Sequence, residues 1–446
     1  MLAFVLSFSK SPRRAGISSL GQGLRQIAVA SCAVLLLGAC GGEAVAPADL
    51  VGTWRAVLAS PGGELPFPLL IDDTSGGLRA VAVNGGEEAP FTAVALDGRR
   101  VVLAIDWYDA TIEAELVDGD RLEGRWTRAS AGGTTSSLPF TATRGSAPRF
   151  LPLDAPEAGL EPGAGEAVPK IDGAWAVEFT DEDGTEVARG EMRQQGNEVR
   201  GTFLTPTGDY RFLAGTYERG ALRLSTFDGS HAFLFHARAQ PDGSLVGDFW
   251  SRDTYHATWT ARRLADGEEI LPDAWQQVGL TNDAGRFTFE FPDLDGRRVS
   301  LDDPAFDDKV VLVNLFGSWC PNCNDEAPLL AAWHRRYRDQ GLEVVGLAYE
   351  FSGDPERDRQ QVERFAERHA ISYPLLLAGT SDKTEAAATL PDLDKVLAYP
   401  TTIFVGRDGR VHRIHSGFAG PGTGRHHAEL VEELESTIRE LLAAPV

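Results

Sequence analysis

The sequence has 446 residues, which is enough for several domains, and its composition is that of a globular protein, with 43% hydrophobic and 24% charged residues. The formal net charge at pH 7 is −23, and no basic stripe runs along the chain, which argues against a nucleic-acid partner. Only four cysteines are present, two near the N-terminus and two in the last third of the chain.

Residues 1–40 have the pattern of an export signal. Basic residues precede an apolar segment, residues 27–37, that is too short to span a bilayer. The segment ends in Leu37-Gly38-Ala39-Cys40, which resembles a bacterial lipobox and implies that Cys40 is lipidated; an ordinary signal peptide with an incidental cysteine is the alternative. We therefore expect a lipid anchor on the periplasmic side of a bacterial envelope. The sequence is compatible with an anchor in the outer membrane, because Gly41 stands in place of the Asp that retains many lipoproteins at the inner membrane.

Residues 49–145 and 171–264 form two copies of one β-rich unit, joined by a Pro/Gly/Ala-rich linker at 146–170. Each copy begins with Gly-x-Trp, at Trp54 and at Trp175, and continues as short alternating segments separated by Asp-Gly turns. This pattern is typical of antiparallel hairpins in series. About eight candidate strands per copy predict two antiparallel all-β repeats, each a barrel or a sandwich.

The role of these repeats stays open from sequence. The Gly-x-Trp opening resembles lipocalin-like barrels, which would imply ligand-holding or partner-docking units. Nothing catalytic converges in either copy, however, and this favours spacers that hold the rest of the chain off the membrane.

Residues 278–446 alternate strands with helices, which predicts an α/β domain with a sheet covered on both faces. Its centre is the β-branched run at 310–316, typical of a fully buried strand, followed by Cys320-Pro321-Asn322-Cys323 and a helix. The unpaired N–H groups of a helix N-terminus favour a thiolate at Cys320. We expect Cys320 to attack a disulfide and Cys323 to resolve the product. A zinc site is disfavoured, because no second thiol pair exists, and no metal is expected.

The same segment resembles the thioredoxin-fold thiol-disulfide oxidoreductases of the TlpA-like and ResA-like group, which are similar to alkyl-hydroperoxide-reductase-type domains. The resemblance rests on Asn314-Leu315-Phe316-Gly317-Ser318-Trp319-Cys320-x-x-Cys323, on Glu326 and Pro328, and on Tyr399-Pro400-Thr401-Thr402 before a strand. It implies a thioredoxin-like fold and a redox-active disulfide, Cys320–Cys323, with no other cofactor.

The resemblance also implies roles for individual residues. Pro400 would be a cis-proline facing the cysteine pair, and the substrate would contact Trp319, Pro321, Tyr399, Pro400 and Thr401. Glu326 would accept the proton that Cys323 loses; a solvated glutamate on the helix surface is the alternative.

Together these patterns predict an exported, membrane-anchored reductase of protein disulfides, supplied by an upstream membrane or envelope thiol reductant. Cytochrome c assembly or envelope redox homeostasis is the expected setting. One alternative is a thiol peroxidase of the alkyl hydroperoxide reductase type, although Gly317 stands where that family usually has Thr. The other is a ligand- or partner-binding lipoprotein with a subordinate redox domain.

Overall fold

The computed structural model describes residues 45–129, 134–153 and 170–445. The predicted signal segment with Cys40, and most of the predicted linker, lie outside these ranges. The predicted fold class is confirmed, since two all-β units precede an α/β domain with thioredoxin-like topology. None of the helices in these ranges has the length and apolar character needed to cross a membrane.

The first unit is a nine-stranded antiparallel sheet that curls into a half-barrel. Its strands are β1 (Gly52–Ser60), β2 (Gly63–Thr74), β3 (Gly77–Asn84), β4 (Glu87–Pro90), β5 (Ala93–Asp97), β6 (Arg100–Ile105), β7 (Ala110–Leu116), β8 (Arg121–Ala129) and β9 (Thr135–Arg144). They pair in the order β4-β3-β2-β1-β9-β8-β7-β6-β5, which leaves β4 and β5 as the two free edges.

The second unit has the same up-and-down order but closes into a barrel. Its strands are β10 (Gly173–Asp181), β11 (Gly184–Gln195), β12 (Glu198–Thr205), β13 (Gly208–Asp209), β14 (Leu213–Glu218), β15 (Ala221–Phe227), β16 (Ala232–Ala239), β17 (Leu245–Ser251) and β18 (Tyr255–Arg263). Here β12 pairs with both β11 and β14, so the ring has no gap. Each sheet thus has nine strands where the sequence indicated about eight, because β4 and β13 are too short to show alternation.

The Gly-x-Trp opening has one structural role in both units. Trp54 and Trp175 are buried, and the indole N–H of each donates to the carbonyl four residues earlier at 2.9 Å. The guanidinium groups of Arg144 and Arg263, from the last strand of each unit, lie 4.4 and 4.0 Å from the respective ring centroids. In each unit, a cation–π contact therefore joins the tryptophan of the first strand to the arginine of the last strand.

The turn between β15 and β16 inserts into the open half-barrel. Phe227 stacks on Phe67 at 4.5 Å and meets the edge of Trp126 at 5.9 Å. The side-chain amide of Asn84 donates to the Phe227 carbonyl at 2.8 Å and accepts from its N–H at 3.1 Å. The second unit thus completes the hydrophobic core of the first, and the two pack as one body.

The α/β domain has a five-stranded sheet in the order β23-β22-β21-β24-β25, with β21, β22 and β23 parallel. The five strands are β21 (Val310–Phe316), β22 (Leu342–Glu350), β23 (Leu375–Thr380), β24 (Thr401–Val405) and β25 (Val411–Ser416), and a separate two-stranded sheet consists of β19 (Glu290–Pro292) and β20 (Arg298–Ser300). Its helices are α1 (Pro321–Tyr337), α2 (Pro355–Arg368), α3 (Lys383–Thr389) and α4 (Arg425–Ala443). Every residue of the central strand β21 is buried, as its β-branched sequence predicts.

Candidate active site

The cysteine pair lies at the start of α1, shortly after the end of β21. Gly317 and Ser318 end the strand, Cys320 is the N-cap of α1, and Pro321 occupies the first helical position, which needs no amide hydrogen. Cys320 and Cys323 form a disulfide, with Cα atoms 5.2 Å apart, and the Cys323 N–H donates to the Cys320 sulfur at 3.2 Å. Cys320 is 5% exposed and Cys323 is 2% exposed. Cys320, at the helix N-terminus, is therefore the more exposed of the two residues.

The loop before β24 faces this pair. The Tyr399–Pro400 peptide bond is cis, and the Tyr399 carbonyl oxygen lies 3.4 Å from the Cys320 sulfur. The Trp319 ring meets the Tyr399 ring edge-on at 5.9 Å. The structure thus brings together Trp319, Cys320, Tyr399 and Pro400. Thr401 is different, because its buried hydroxyl donates to the Ala398 carbonyl at 2.8 Å and lies 2.9 Å from the Ser416 hydroxyl.

Glu326 is buried inside the domain, only 2% exposed, so it is not a solvated residue of the helix surface. Its carboxylate accepts hydrogen bonds from the Asn314 side-chain amide at 2.7 Å and from the Thr402 hydroxyl at 2.9 Å. Burial raises the pKa of Glu326 to about 7, although both hydrogen bonds oppose the shift. A carboxyl group with that pKa can exchange a proton at neutral pH, which a thiol resolving step requires.

The raised pKa of Glu326 has a consequence for stability. Between pH 4.5 and about 7 the folded chain holds a proton that the unfolded chain releases, so the contribution of Glu326 to stability falls as pH rises through this window. We expect Glu326→Gln to be more stable than the wild type at pH 8 by up to about 3 kcal/mol, with the difference vanishing near pH 4.5. Urea unfolding at several pH values measures it, and a difference independent of pH would contradict the assignment.

A second buried glutamate, which sequence reasoning missed, holds the loop that precedes the cysteines. Glu350, at the end of β22, accepts hydrogen bonds from the Ser318 N–H and hydroxyl, both at 2.7 Å. Burial raises the pKa of Glu350 to about 7. The neighbouring Tyr349 carbonyl accepts from the Trp319 indole at 2.9 Å. A charged residue at the end of a mostly apolar strand was the only sequence signal for this role.

This geometry agrees with the comparison to known proteins. Residues 284–414 match the AhpC/TSA family. The C-terminal domain is an AhpC/TSA-family, thioredoxin-like domain. The match begins beyond both β units.

The chain is also similar to individual known proteins. The chain is 27% identical over 129 residues to the thiol-disulfide oxidoreductase ResA of Halalkalibacterium halodurans, an alignment that covers 29% of this chain and 65% of the relative. It is 29% identical over 142 residues to the thioredoxin-like protein YneN of Bacillus subtilis, covering 32% and 75%. A solved thiol:disulfide interchange protein of Chlorobium tepidum aligns over 36% of this chain and 96% of its own, with 19% identity and a TM-score of 0.28.

The second β unit covers one side of the AhpC/TSA domain's cysteine motif. Asn322 donates to the Phe418 carbonyl at 3.0 Å, and a Cβ placed on Gly208 would lie 2.3 Å from the Asn322 amide nitrogen. The Gly420 N–H donates to the Asp209 carboxylate at 2.7 Å. Consequently both residues between the two cysteines are buried.

A buried arginine joins the three parts of the structure at this point. Arg211 pairs with Glu87 of the first unit at 2.9 Å, with Asp228 of the second at 3.5 Å, and with Asp325 on α1. Burial opposes its charge, but the surrounding carboxylates raise the pKa of Arg211. Despite burial, His231 and Arg211 keep the pKa of Asp228 below its usual range. This network fixes both β units against the helix that carries the cysteines.

Within the described residues, no group of three or more His, Cys, Asp or Glu side chains is arranged to hold a metal ion.

Proposed function

We propose that this protein is a thiol-disulfide oxidoreductase that reduces protein disulfides through Cys320 and Cys323. The observation that carries the proposal is the position of the Cys320 sulfur, at the N-terminus of α1 and 3.4 Å from the Tyr399 carbonyl of the cis-proline loop. An extended substrate segment can lie along this loop, with Trp319 and Pro321 beside it. The similarity to thiol-disulfide oxidoreductases supports the same activity.

The reaction begins with the reduced pair. The Cys320 thiolate attacks one sulfur of the substrate disulfide, forms a mixed disulfide, and displaces the second substrate sulfur, which takes up a proton. Cys323 then attacks the Cys320 sulfur, closes the protein disulfide and releases the first substrate sulfur as a thiol. Glu326 accepts the proton that Cys323 loses. Two electrons pass to the substrate, and an upstream thiol reductant in the envelope restores the dithiol.

The cellular setting follows from the N-terminal sequence and belongs to the same proposal. Lipidation of Cys40 would anchor the chain to a membrane on the periplasmic side of the envelope. The resemblance to TlpA-like and ResA-like reductases supports a role in cytochrome c assembly or in envelope redox homeostasis.

A comparison of two substrates separates the proposal from a peroxidase. We expect the full chain, supplied with a dithiol, to reduce insulin disulfides much faster than it consumes hydrogen peroxide, because Gly317 stands in place of the peroxidase threonine. Turbidity and peroxide-consumption assays measure the two rates. Peroxide turnover as fast as thiol exchange, and surviving Cys323→Ser, would overturn the proposal.

A further inference from the structure

A cleft of about 510 Å³ is lined by the residues on either side of Cys320 in the sequence, and all three parts of the chain form its walls. Trp319 and Pro321 contribute from the cysteine motif. The β units contribute polar and charged residues: Arg128 and Ser136 from the first, and Ser230, His231 and Arg252 from the second. This volume is typical of sites that take a small molecule or a short segment of chain. The sequence favoured a spacer role for the β units, and this stays a prediction; in the structure both units contribute walls to this cleft.

Two arginines in this cleft, Arg128 and Arg252, form no salt bridge with any of the described residues, although Asp228 acts to raise the pKa of Arg128 and Asp253 that of Arg252. Arg128 is only 6% exposed, and its Nε is buried without a hydrogen-bond partner. Arg252 lies close enough to lower the pKa of Arg128 further, after burial, to about 10. Both guanidinium groups therefore stay charged at neutral pH and repel each other. A buried cation without a salt bridge, such as Arg128, is costly, and groups perturbed in this way cluster at functional sites.

The carboxylates that act on these arginines, Asp228 and Asp109 on Arg128 and Asp253 on Arg252, each form their closest contacts with other groups. Asp228 is bound by His231 at 2.9 Å and by Arg211 at 3.5 Å. Asp109 pairs with Arg357 at 2.6 Å, and Asp253 accepts from the Ser137 N–H at 2.9 Å. The cleft therefore keeps a positive wall in a chain whose net charge is −23.

We propose that this cleft binds a carboxylate that the substrate carries close to its disulfide. The inference rests on the proposed function and adds a substrate class, acidic disulfides. The planar guanidinium fork of arginine matches a carboxylate with two parallel hydrogen bonds, and two such groups beside Cys320 would hold the acid while the sulfur is attacked. The carboxylate can belong to a glutathione-type disulfide or to an acidic residue flanking a cysteine of a peptide chain.

Matched disulfides test this with the full-length protein, reduced beforehand and freed of reductant. One pair is oxidised glutathione and its tetraethyl ester, in which every carboxylate is esterified; the other is a cysteine-peptide disulfide flanked by Glu and the same peptide flanked by Gln. Single-turnover rates follow the exchange described above, in which each protein dithiol converts one disulfide into two thiols. We expect the carboxylate form to react roughly tenfold faster or more in at least one pair. The pair showing the preference identifies the source of the acid.

The variant Arg128→Gln/Arg252→Gln should lose this preference and retain its rate with the uncharged forms. Arg121→Gln, at the exposed start of the same strand as Arg128, is the matched control and should keep the preference. Should the double variant fail to fold, the preference of the wild type must still shrink as salt is added. Equal rates for charged and uncharged forms in the wild type overturn the inference while leaving the proposed function standing. No reduction of any disulfide overturns both.

Discussion

Replacing Cys320 by Ser is expected to reduce insulin-disulfide reduction to the uncatalysed background, whereas Cys323→Ser should stop the reaction at a mixed disulfide on Cys320. The reason is the order of attack. Cys320 is the N-cap of α1, where helix N–H groups favour its thiolate, and it is the more exposed of the two cysteines. Without Cys323 no internal thiol can displace the bound substrate.

Mass spectrometry of the trapped adduct checks both halves of this prediction. In Cys323→Ser the substrate should be found on Cys320, and dithiothreitol should release it. The wild type treated in the same way is the control and should carry no adduct, because Cys323 resolves it. An adduct that forms as readily on Cys323 in Cys320→Ser would contradict the assigned roles.

Replacing Arg211 by Met is expected to destabilise the folded chain by roughly 3–5 kcal/mol at pH 7, the usual cost of removing one partner of a buried ion pair. The substitution leaves Glu87, Asp228 and Asp325 facing each other with no cation between them. Because these carboxylates join both β units to α1, the AhpC/TSA domain should also separate from the β units and unfold in a transition of its own.

Urea unfolding followed by tryptophan fluorescence measures this loss, and a second transition would report the separation. Arg193→Met is the matched control, since Arg193 lies exposed on β11, and it should change stability by less than about 0.5 kcal/mol. The deficit of Arg211→Met should shrink at low pH, where the carboxylates are protonated. A single transition within 1 kcal/mol of the wild type would show that the network does not hold the domains together.

The local parts of the site could be predicted because their signals are local. The β-branched strand, the Gly317-Ser318 break and Pro321 at the first helical position predict a strand, a turn and a helix start from adjacent residues. The structure places the strand at Val310–Phe316 and the helix from Pro321. Alternation broken by Asp-Gly likewise predicts antiparallel hairpins in both repeats, and the structure has them.

The long-range parts could not be predicted, because no single stretch contains their cause. Arg211 meets Glu87 and Asp325, which are 124 and 114 residues away, and each of these charges looks ordinary in sequence. Glu350 accepts a hydrogen bond from Ser318, which lies 32 residues earlier in the sequence. Both repeats have the same alternation of apolar and polar residues. The second nevertheless closes into a barrel, whereas the core of the first is completed by Phe227 of the second. That difference depends on packing between units, which alternation within a unit does not encode.

The reduction potential of Cys320–Cys323 tests the central claim most directly. The full chain would be equilibrated with reduced and oxidised glutathione, or with dithiothreitol at lower potentials, and the free thiols counted by mass-shift alkylation. The account predicts one two-electron transition near or below about −250 mV, the range of a protein that reduces disulfides and must be supplied with electrons. A pair that shows no transition over the whole range would be structural, and the assignment of this site as an active site would be wrong.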